Sequence, residues 1–288
     1  MHYQGDIFRP PSEANSILLQ ITTGCSHNKC TFCRMYKQSL FSIKDDDTIM
    51  ADIDFASKHC QHQHRLFLCD GDALTVPQKR LVPILKEIKT KLPWVRRIGT
   101  YANTKSIKLK SKEELGELCS LGLSIAYMGL ESGDDVVLKK INKGSDTARM
   151  IEMGKKIRSA GIKFSITVIL GIAGTERSQI HAKQSGLVLS EIDPEYVGAL
   201  SLMLTPETKL YQQWQQGEFE LPGPQEMLEE LRTMIQYTDM RGLFHANHAS
   251  NYLPIKARLP RDKEATLELI DQALQGKINL KPEYMRGL

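Results

Sequence analysis

Residues 17–33 read ILLQITTGCSHNKCTFC, an apolar run followed at once by three cysteines. The apolar part is typical of a buried β-strand, and Gly24 marks the start of a loop. Cys25, Cys30 and Cys33 in that loop have the spacing C-x4-C-x2-C. Packing explains such a cluster poorly, whereas closely spaced thiolates are typical ligands of iron–sulfur clusters and zinc. The stretch therefore predicts a metal centre directly after the first strand.

Further apolar segments follow at regular intervals along the chain and alternate with helical patterns. In one of these patterns apolar side chains recur from Leu81 to Leu92 at the spacing of one helical face. Six strand–helix units predict an α/β fold with parallel strands, either an open sheet or a partial (β/α)6 barrel. In both architectures ligands bind at the carboxyl ends of the strands. The predicted strands are residues 17–22, 65–69, 97–101, 124–128, 163–170 and 196–203.

The composition is that of an ordinary globular protein. The chain has 288 residues, of which 41% are hydrophobic and 25% charged, and this excludes a disordered, collagen-like or small disulfide-stapled protein. We expect a core domain over residues 10–221 and a mostly helical extension over residues 222–288 that closes the barrel. No apolar run is long enough to cross a bilayer, and the first residues lack a signal-peptide layout. The sequence thus predicts a cytoplasmic protein with reduced thiols and no membrane contact.

Positive charge is concentrated in one stretch of the chain. Between Lys79 and Lys112 there are eleven Lys and Arg residues and a single acid, Glu87, although the net charge is only +4. The simpler interpretation is the solvated faces of two helices. The alternative is docking of an acidic partner, such as a flavin electron donor, a nucleic acid or an anionic substrate. Few aromatic residues lie among these charges, so stacking of nucleic-acid bases is poorly supported.

The cysteine spacing leaves several metal centres open. A structural zinc site usually has four protein ligands, and His27 is the local candidate for the fourth. A plant-type ferredoxin uses the same spacing with a distant fourth cysteine, for which Cys60 is available. Three cysteines alone would leave one iron of a [4Fe–4S] cluster open to an external ligand. A non-catalytic electron-transfer or zinc-binding protein therefore stays as the alternative to an enzyme.

A three-cysteine loop after the first strand, with the aromatic Phe32 before the third cysteine, resembles the radical S-adenosylmethionine (SAM) superfamily. The family's usual spacing is C-x3-C-x2-C, one residue shorter in the first gap. The resemblance implies that Cys25, Cys30 and Cys33 hold a [4Fe–4S] cluster whose open iron binds SAM. It further implies reductive cleavage of SAM to a 5′-deoxyadenosyl radical, which abstracts hydrogen from a substrate not identified by the sequence. A flavodoxin- or ferredoxin-type electron donor is the implied partner.

Other segments after predicted strands resemble the same family, in the branch of coproporphyrinogen dehydrogenases and elongator-type tRNA enzymes. Asp70-Gly71-Asp72 matches a turn whose acid receives the SAM ammonium, although an ordinary Asp-Gly turn is the simpler alternative. Gly129-Leu130-Glu131-Ser132-Gly133, with Lys143-Gly144 downstream, matches a segment in which the acid or its neighbour contacts ribose or methionine. Helix capping explains Glu131 as well. The resemblance implies cofactor-binding roles for Phe32, Asp70, Gly71, Asp72, Glu131, Ser132, and, toward adenine, Gly171 and Leu204.

Polar side chains are concentrated in one segment of the extension, His245–Pro254. The simpler interpretation is a hydrogen-bonded loop that closes the barrel. The alternative is a lid that brings His245, His248 or Tyr252 to the substrate. A metal site built on the two histidines lacks a third ligand. The catalytic residues therefore stay unknown, with these three as the substrate-side candidates.

Overall fold

The computed structural model describes residues 1–287. Its strands are β1 (Ile17–Gln20), β2 (Thr22–Thr23), β3 (Ser42–Ile43), β4 (Arg65–Cys69), β5 (Arg97–Tyr101), β6 (Leu123–Glu131), β7 (Lys163–Leu170), β8 (Tyr196–Ser201), β9 (Leu243–His245) and β10 (Lys256–Arg258). Its helices are α1 (Asp46–His59), α2 (Gln78–Lys91), α3 (Thr104–Lys108), α4 (Lys112–Ser120), α5 (Asp135–Lys140), α6 (Thr147–Ser159), α7 (Gly174–Ile192), α8 (Lys209–Gln215), α9 (Pro224–Gln236) and α10 (Lys263–Leu274).

The strands form a mainly parallel sheet. Eight of them lie in the order β1-β4-β5-β6-β7-β8-β9-β10, and β2 pairs with β3 separately. The last strand runs antiparallel to its neighbour, with Lys256 opposite His245. The predicted α/β class with a parallel sheet is thus confirmed. Within residues 1–287 no helix combines the length and apolar character that a membrane span requires.

Contacts divide the chain into two compact units. The first comprises Met1–Asn28, Met35–Met128 and Lys155–Phe164. It holds β1, β4, β5 and most of β6 in parallel ladders, with Ile17 opposite Leu66 at the start of the first pair. Burial of consecutive side chains along the strands, and of one face of the helix, explains these elements. The β4 residues after Arg65 are buried, and α2 buries the one apolar face that its spacing predicts.

The second unit comprises Lys29–Arg34, Gly129–Gly154 and the residues from Ser165 onward. It holds the parallel strands β7, β8 and β9 with the antiparallel β10. Strand β7 alternates between buried and half-buried positions along its whole length. Helix α9 packs against α7 and α10, burying an apolar stripe that includes Met227 and Leu231. The predicted boundary at residues 221 and 222 stays a prediction.

The bounds of three strands agree with the sequence. The strands over residues 65–69, 97–101 and 163–170 have the predicted bounds, whereas β6 extends to Glu131 and the first strand ends at Gln20. The extension is less helical than predicted, because β9 and β10 add two short strands to the sheet. His245 therefore belongs to β9, and the loop that follows begins at Ala246. Three-residue strands carry too little periodicity to be recognised in a sequence.

Candidate cluster and cofactor site

The cysteine loop is closed by a short antiparallel ladder. Strand β2 pairs with β3, with Thr22 opposite Ile43, so residues 24–41 leave the sheet and return to it. Asn28 adopts the left-handed conformation that asparagine tolerates, at φ 43°, and its side-chain amide donates to the carbonyl of Tyr36 at 2.6 Å. All three loop cysteines are partly exposed.

The turn after β4 fits closely against the loop at Cys25. The Gly71 N–H donates to the carbonyl of Gly24 at 2.9 Å. A Cβ at Gly71 would lie 2.8 Å from that of Cys25, so only glycine allows this approach. One Asp70 carboxylate oxygen accepts from Gln20 at 2.8 Å and from the Gly24 N–H at 3.2 Å. Burial raises the pKa of Asp70 to about 6, although these hydrogen bonds oppose the rise. Asp70 and Gly71 thus position the first cysteine.

Asp72 presents a buried carboxyl group beside the same loop. Its Oδ2 accepts from the Ser26 hydroxyl and, at 2.6 Å, from the Asn103 amide. Its Oδ1 is buried and lacks a hydrogen-bond partner among the described residues. Burial raises the pKa of this carboxyl group, against the hydrogen bonds from Ser106, Ser26 and Asn103. One oxygen therefore orients the group, while the other has capacity for an ammonium or another donor.

Cys30 and Cys33 are positioned by elements of the second unit. The Thr31 N–H donates to the carbonyl of Ile141 at 3.0 Å, just after α5. On the other side, the Leu210 N–H of α8 donates to the Thr31 carbonyl at 2.9 Å. Both backbone groups of Thr31 are thereby used, and both hold the segment between the two cysteines. The sequence motifs alone contain no signal for this role of α5 and α8.

A lysine lies in the electrostatic environment of these two thiols. The Lys143 ammonium donates to Glu131 Oε1 at 2.7 Å, and the lysine side chain is only 17% exposed. Burial lowers the pKa of Lys143, but Glu131, Cys30 and Cys33 together raise it above its usual value. Glu131 itself adopts a left-handed conformation at φ 63°. The predicted residue Glu131 thus holds a buried cation that can offset negative charge near the cysteines.

The other residues of the Glu131 segment are engaged with α7. The Ser132 hydroxyl lies 2.8 Å from His181 Nδ1 and accepts from the Asp134 N–H at 3.0 Å. A Cβ at Gly133 would come within 2.4 Å of the Ser185 nitrogen, so the turn lies directly on the helix. Burial lowers the pKa of His181 to about 4, which keeps the imidazole neutral. Ser132 therefore positions this turn, and its contact with the cofactor stays a prediction.

Gly171 reveals a residue that the sequence reasoning missed. Its N–H donates at 2.6 Å to Glu230 Oε2, which α9 brings to the end of β7. Glu230 is fully buried, and its Oε1 has no partner among the described residues. Burial raises the pKa of Glu230 to about 8. The sequence did contain a signal for Glu230. It lies within the apolar stripe of α9 that includes Met227 and Leu231, and a charged residue in such a stripe predicts a buried carboxyl group.

Phe32 and Leu204 are partly exposed. Phe32 precedes the third cysteine, and Leu204 lies between β8 and α8. Both keep accessible apolar surface near strand ends, where a planar ring can be bound. The role of Phe32 in cofactor binding and that of Leu204 toward adenine stay predictions.

The two histidines that the sequence offers as substrate-side candidates are both partly buried. Burial lowers the pKa of both His245 and His248. His248 Nδ1 accepts from the Ser250 N–H at 3.2 Å and lies 2.9 Å from its hydroxyl. This arrangement stabilises a turn after β9. Neutral imidazoles at these positions retain the capacity to exchange a proton with a ligand.

Tyr252 is held by the end of the chain. Its hydroxyl donates to Glu283 at 2.7 Å and accepts from Arg286, whose guanidinium lies 4.1 Å from the ring centroid. Arg286 also donates to the carbonyl groups of Ser250 at 2.6 Å and Leu202 at 3.1 Å. Burial and the Glu283 hydrogen bond raise the pKa of Tyr252 to about 12. The hydroxyl thus ties the chain end to the loop after β9.

The remaining cysteines lie outside the loop. Cys60 follows α1, and its carbonyl accepts from the Trp94 indole at 3.1 Å. It precedes β4 by five residues, so a strand length of about 15 Å separates it from the end of β4 where Gly71 meets Cys25. Cys69 is fully buried, and burial raises the pKa of its thiol. Cys69 ends β4 two residues before Gly71, but its thiol donates to the Phe67 carbonyl at 3.4 Å inside the core.

Single metal ions have no ready site in the described part of the chain. Among residues 1–287, no group of three His, Cys, Asp or Glu side chains is arranged to hold a metal ion. In a four-iron cluster each thiolate binds a separate iron atom, so the thiols need not converge on one ion. Three reduced thiols in one loop, two of them in the field of Lys143, fit such a cluster by their donor chemistry.

The buried carboxyl group of Glu230 predicts a specific pH dependence of stability. With a pKa of about 8, the folded protein keeps a proton that the unfolded chain releases near 4.5. The free energy of unfolding should therefore fall as the pH rises from about 4.5 to about 8, by up to about 1.4 kcal/mol per pH unit. Glu230→Gln should flatten this part of the urea-unfolding profile, whereas the exposed-site control Glu218→Gln should not. Parallel profiles for wild type and Glu230→Gln would contradict the assignment.

The contacts of Arg286 predict a large effect on stability. Arg286→Ala leaves the Ser250 and Leu202 carbonyl groups without their donor, and we expect the free energy of unfolding to fall by about 2–4 kcal/mol. Arg261→Ala is the control, because that guanidinium is 72% exposed and its ion pair with Asp262 should contribute less than about 1 kcal/mol. Chemical denaturation measures both. Equal losses in the two variants would refute the role of Arg286.

Comparisons with known proteins identify the family. The Radical SAM superfamily model matches residues 19–182, more than half of the chain. The heme chaperone HemW of Bacillus subtilis is 21% identical over 188 residues, which cover 65% of this chain and 49% of HemW. A tRNA uridine(34) acetyltransferase of Methanocaldococcus infernus is 23% identical over 121 residues, covering 41% of this chain and 22% of that protein.

A similar fold occurs in coproporphyrinogen III oxidase (HemN) from Escherichia coli. That structure has a TM-score of 0.55 and 16% identity, covering 77% of this chain and 51% of the oxidase. The chain spans between 22% and 49% of the length of these curated relatives. The similarity therefore concerns the common core and its barrel-like sheet. The chain belongs to the radical SAM superfamily of enzymes, whose members bind a [4Fe–4S] cluster and SAM.

Proposed function

We propose that Cys25, Cys30 and Cys33 hold the [4Fe–4S] cluster, and that the chain cleaves SAM reductively to begin hydrogen abstraction from an organic substrate. The observation that carries this proposal is the set of three partly exposed cysteines in one loop after β1 and β2. Cys60 precedes β4, and the Cys69 thiol is fully buried and donates to the Phe67 carbonyl, which supports a cluster with one iron open to SAM. When bound, cluster and SAM supply one-electron chemistry that ends in a 5′-deoxyadenosyl radical.

The chain's own residues supply binding and orientation. Asp72 offers its unpartnered Oδ1 to the SAM ammonium, which would compensate the cost of a buried carboxylate. Lys143 offsets the charge of the Cys30 and Cys33 thiolates. Glu131 orients Lys143 and remains a candidate for the ribose hydroxyls. Ser132, Asp70 and Gly71 support these groups by fixing the turns that carry them.

On the adenine side, the proposed residues are Phe32, Gly171 and Leu204. The close packing of Met227, which a side chain at Gly171 would meet at 2.7 Å, and the Glu230 hydrogen bond fix the backbone at Gly171. His245 and His248 are the remaining substrate-side candidates. We further propose cytoplasmic operation with a flavodoxin- or ferredoxin-type electron donor.

The cluster assignment predicts different results at two kinds of cysteine. Cys30→Ser should lose most of the iron and sulfide after anaerobic reconstitution and release no 5′-deoxyadenosine from SAM with dithionite. Cys60→Ser is the matched control and should keep both. Iron and sulfide assays with chromatography of the nucleoside measure these outcomes. Wild-type protein with a cluster but no 5′-deoxyadenosine would favour the non-catalytic electron carrier, and zinc in place of iron would favour the zinc protein.

The role of Asp72 predicts a defect in SAM binding with the cluster retained. Asp72→Asn removes a charge-assisted hydrogen bond, so the SAM dissociation constant should rise by about 10- to 100-fold. The iron content should match that of wild type, since Asp72 is no cluster ligand. Asp47→Asn, at an exposed position in α1, is the control for the loss of a carboxylate. Unchanged SAM affinity in Asp72→Asn, measured on reconstituted protein by calorimetry, would refute the role.

A further inference from the structure

The basic stretch between Lys79 and Lys112 separates into two groups in the structure. Several members have partners: Arg80 pairs with Asp46 at 2.6 Å, and Lys91 pairs with Asp54 and Glu87. Lys110 is buried and donates to the Val76 carbonyl at 2.6 Å. These contacts give structural reasons for part of the positive charge. These contacts do not involve the other exposed lysines of the stretch.

Helix α3 places two exposed lysines beside an exposed leucine. Lys105, Lys108 and Leu109 stand at positions i, i+3 and i+4, which share one helical face. Leu109 is 67% exposed. Within residues 1–287 neither lysine forms an ion pair, and the exposed Lys112 adds a further positive charge nearby. We call Lys105, Lys108 and Leu109 the α3 face.

The α3 face is attached directly to the cysteine loop. Asn103 caps α3, and its side-chain amide donates to the Ser26 hydroxyl at 3.1 Å and to Asp72 at 2.6 Å. Ser26 is the neighbour of Cys25 in the chain. Six residues at about 1.5 Å per residue place Leu109 about 9 Å along the helix from Asn103. A protein bound on this face would therefore sit one short helix away from the first cluster cysteine.

We propose that the α3 face is the docking surface for an acidic electron-donor protein, an inference that rests on the proposed function. Lysines around an exposed leucine are complementary to a carboxylate-rich rim around an apolar centre. Electron-donor complexes are small and transient, so a face of this size suffices. The donor's reduced flavin or iron–sulfur centre gives up one electron, the cluster gains it, and no bond forms or breaks. The absence of stacking aromatics on the face argues for a protein over RNA.

The test compares two reductants on the reconstituted holoprotein. Lys108→Glu/Leu109→Asp should slow cluster reduction by a reduced, acidic flavodoxin about 10-fold or more at low salt, because steering and contact are both lost. Dithionite is too small to need the face, so its reduction rate and the 5′-deoxyadenosine yield with dithionite should match wild type. Lys277→Glu, at an exposed lysine elsewhere, is the control. Lys105 is left intact because its charge acts on Asp72.

The outcomes separate this inference from the proposed function. If the reconstituted wild-type protein releases no 5′-deoxyadenosine from SAM with dithionite, the proposed function itself is overturned. If dithionite works but flavodoxin reduces the double variant as fast as wild type, the docking surface is refuted. A variant that loses binding to transfer RNA in a mobility-shift assay while keeping the flavodoxin rate would assign the face to RNA, and it would overturn the inference too. Stopped-flow absorbance at low and high salt gives the rates.

Discussion

Gly71 lies so close to the backbone of Cys25 that no side chain fits between them. Two hydrogen bonds fix the start of the cysteine loop to the end of β4. The Gly71 N–H donates to the Gly24 carbonyl, and the Gly24 N–H donates to the Asp70 carboxylate. Since β4 is a buried central strand, this contact transfers the rigidity of the sheet to a thiol. Asp72 belongs to the same turn, and its orienting partners come from the cysteine loop, Ser26, and from the cap of α3, Asn103.

Buried charge is distributed over the candidate site in a consistent way. Asp72 has a carboxyl group whose pKa is raised by burial and whose second oxygen is unpartnered, so it favours a cationic donor. Lys143 is a mostly buried cation next to two thiols, so it favours thiolates. Isolated buried charges are costly, whereas compensated ones are tolerated. Asp72 in the first unit therefore favours a cationic partner, and Lys143 in the second unit favours anionic ones.

Much of the fold and part of the candidate site could be predicted from local sequence patterns. The strands that begin at Arg65, Arg97 and Lys163 have the bounds that the sequence predicts. The cysteine spacing and the acidic turn at Asp70 also lie within a few residues of one another. Family resemblance added Glu131 and Lys143, but only the structure shows that these two form an ion pair.

What the sequence did not predict involves contacts between distant positions. Glu230 meets Gly171 across 59 residues, and a single acid in an amphipathic helix gives little indication of its partner. Arg286 reaches Leu202 from the end of the chain, where no periodic pattern precedes it. Tyr252, predicted as a substrate-side candidate from composition, has its hydroxyl engaged by that same terminal segment. Tertiary contacts of this kind decide whether a polar residue is structural or available to a ligand.

Mössbauer spectroscopy of ⁵⁷Fe-reconstituted protein, recorded with and without SAM, tests the central claim most directly. A [4Fe–4S] cluster held by Cys25, Cys30 and Cys33 has one iron without a protein thiolate. The account predicts that SAM changes the signal of that one iron and leaves the other irons unchanged. A spectrum without a [4Fe–4S] cluster, or a cluster whose iron sites are all indifferent to SAM, would contradict it.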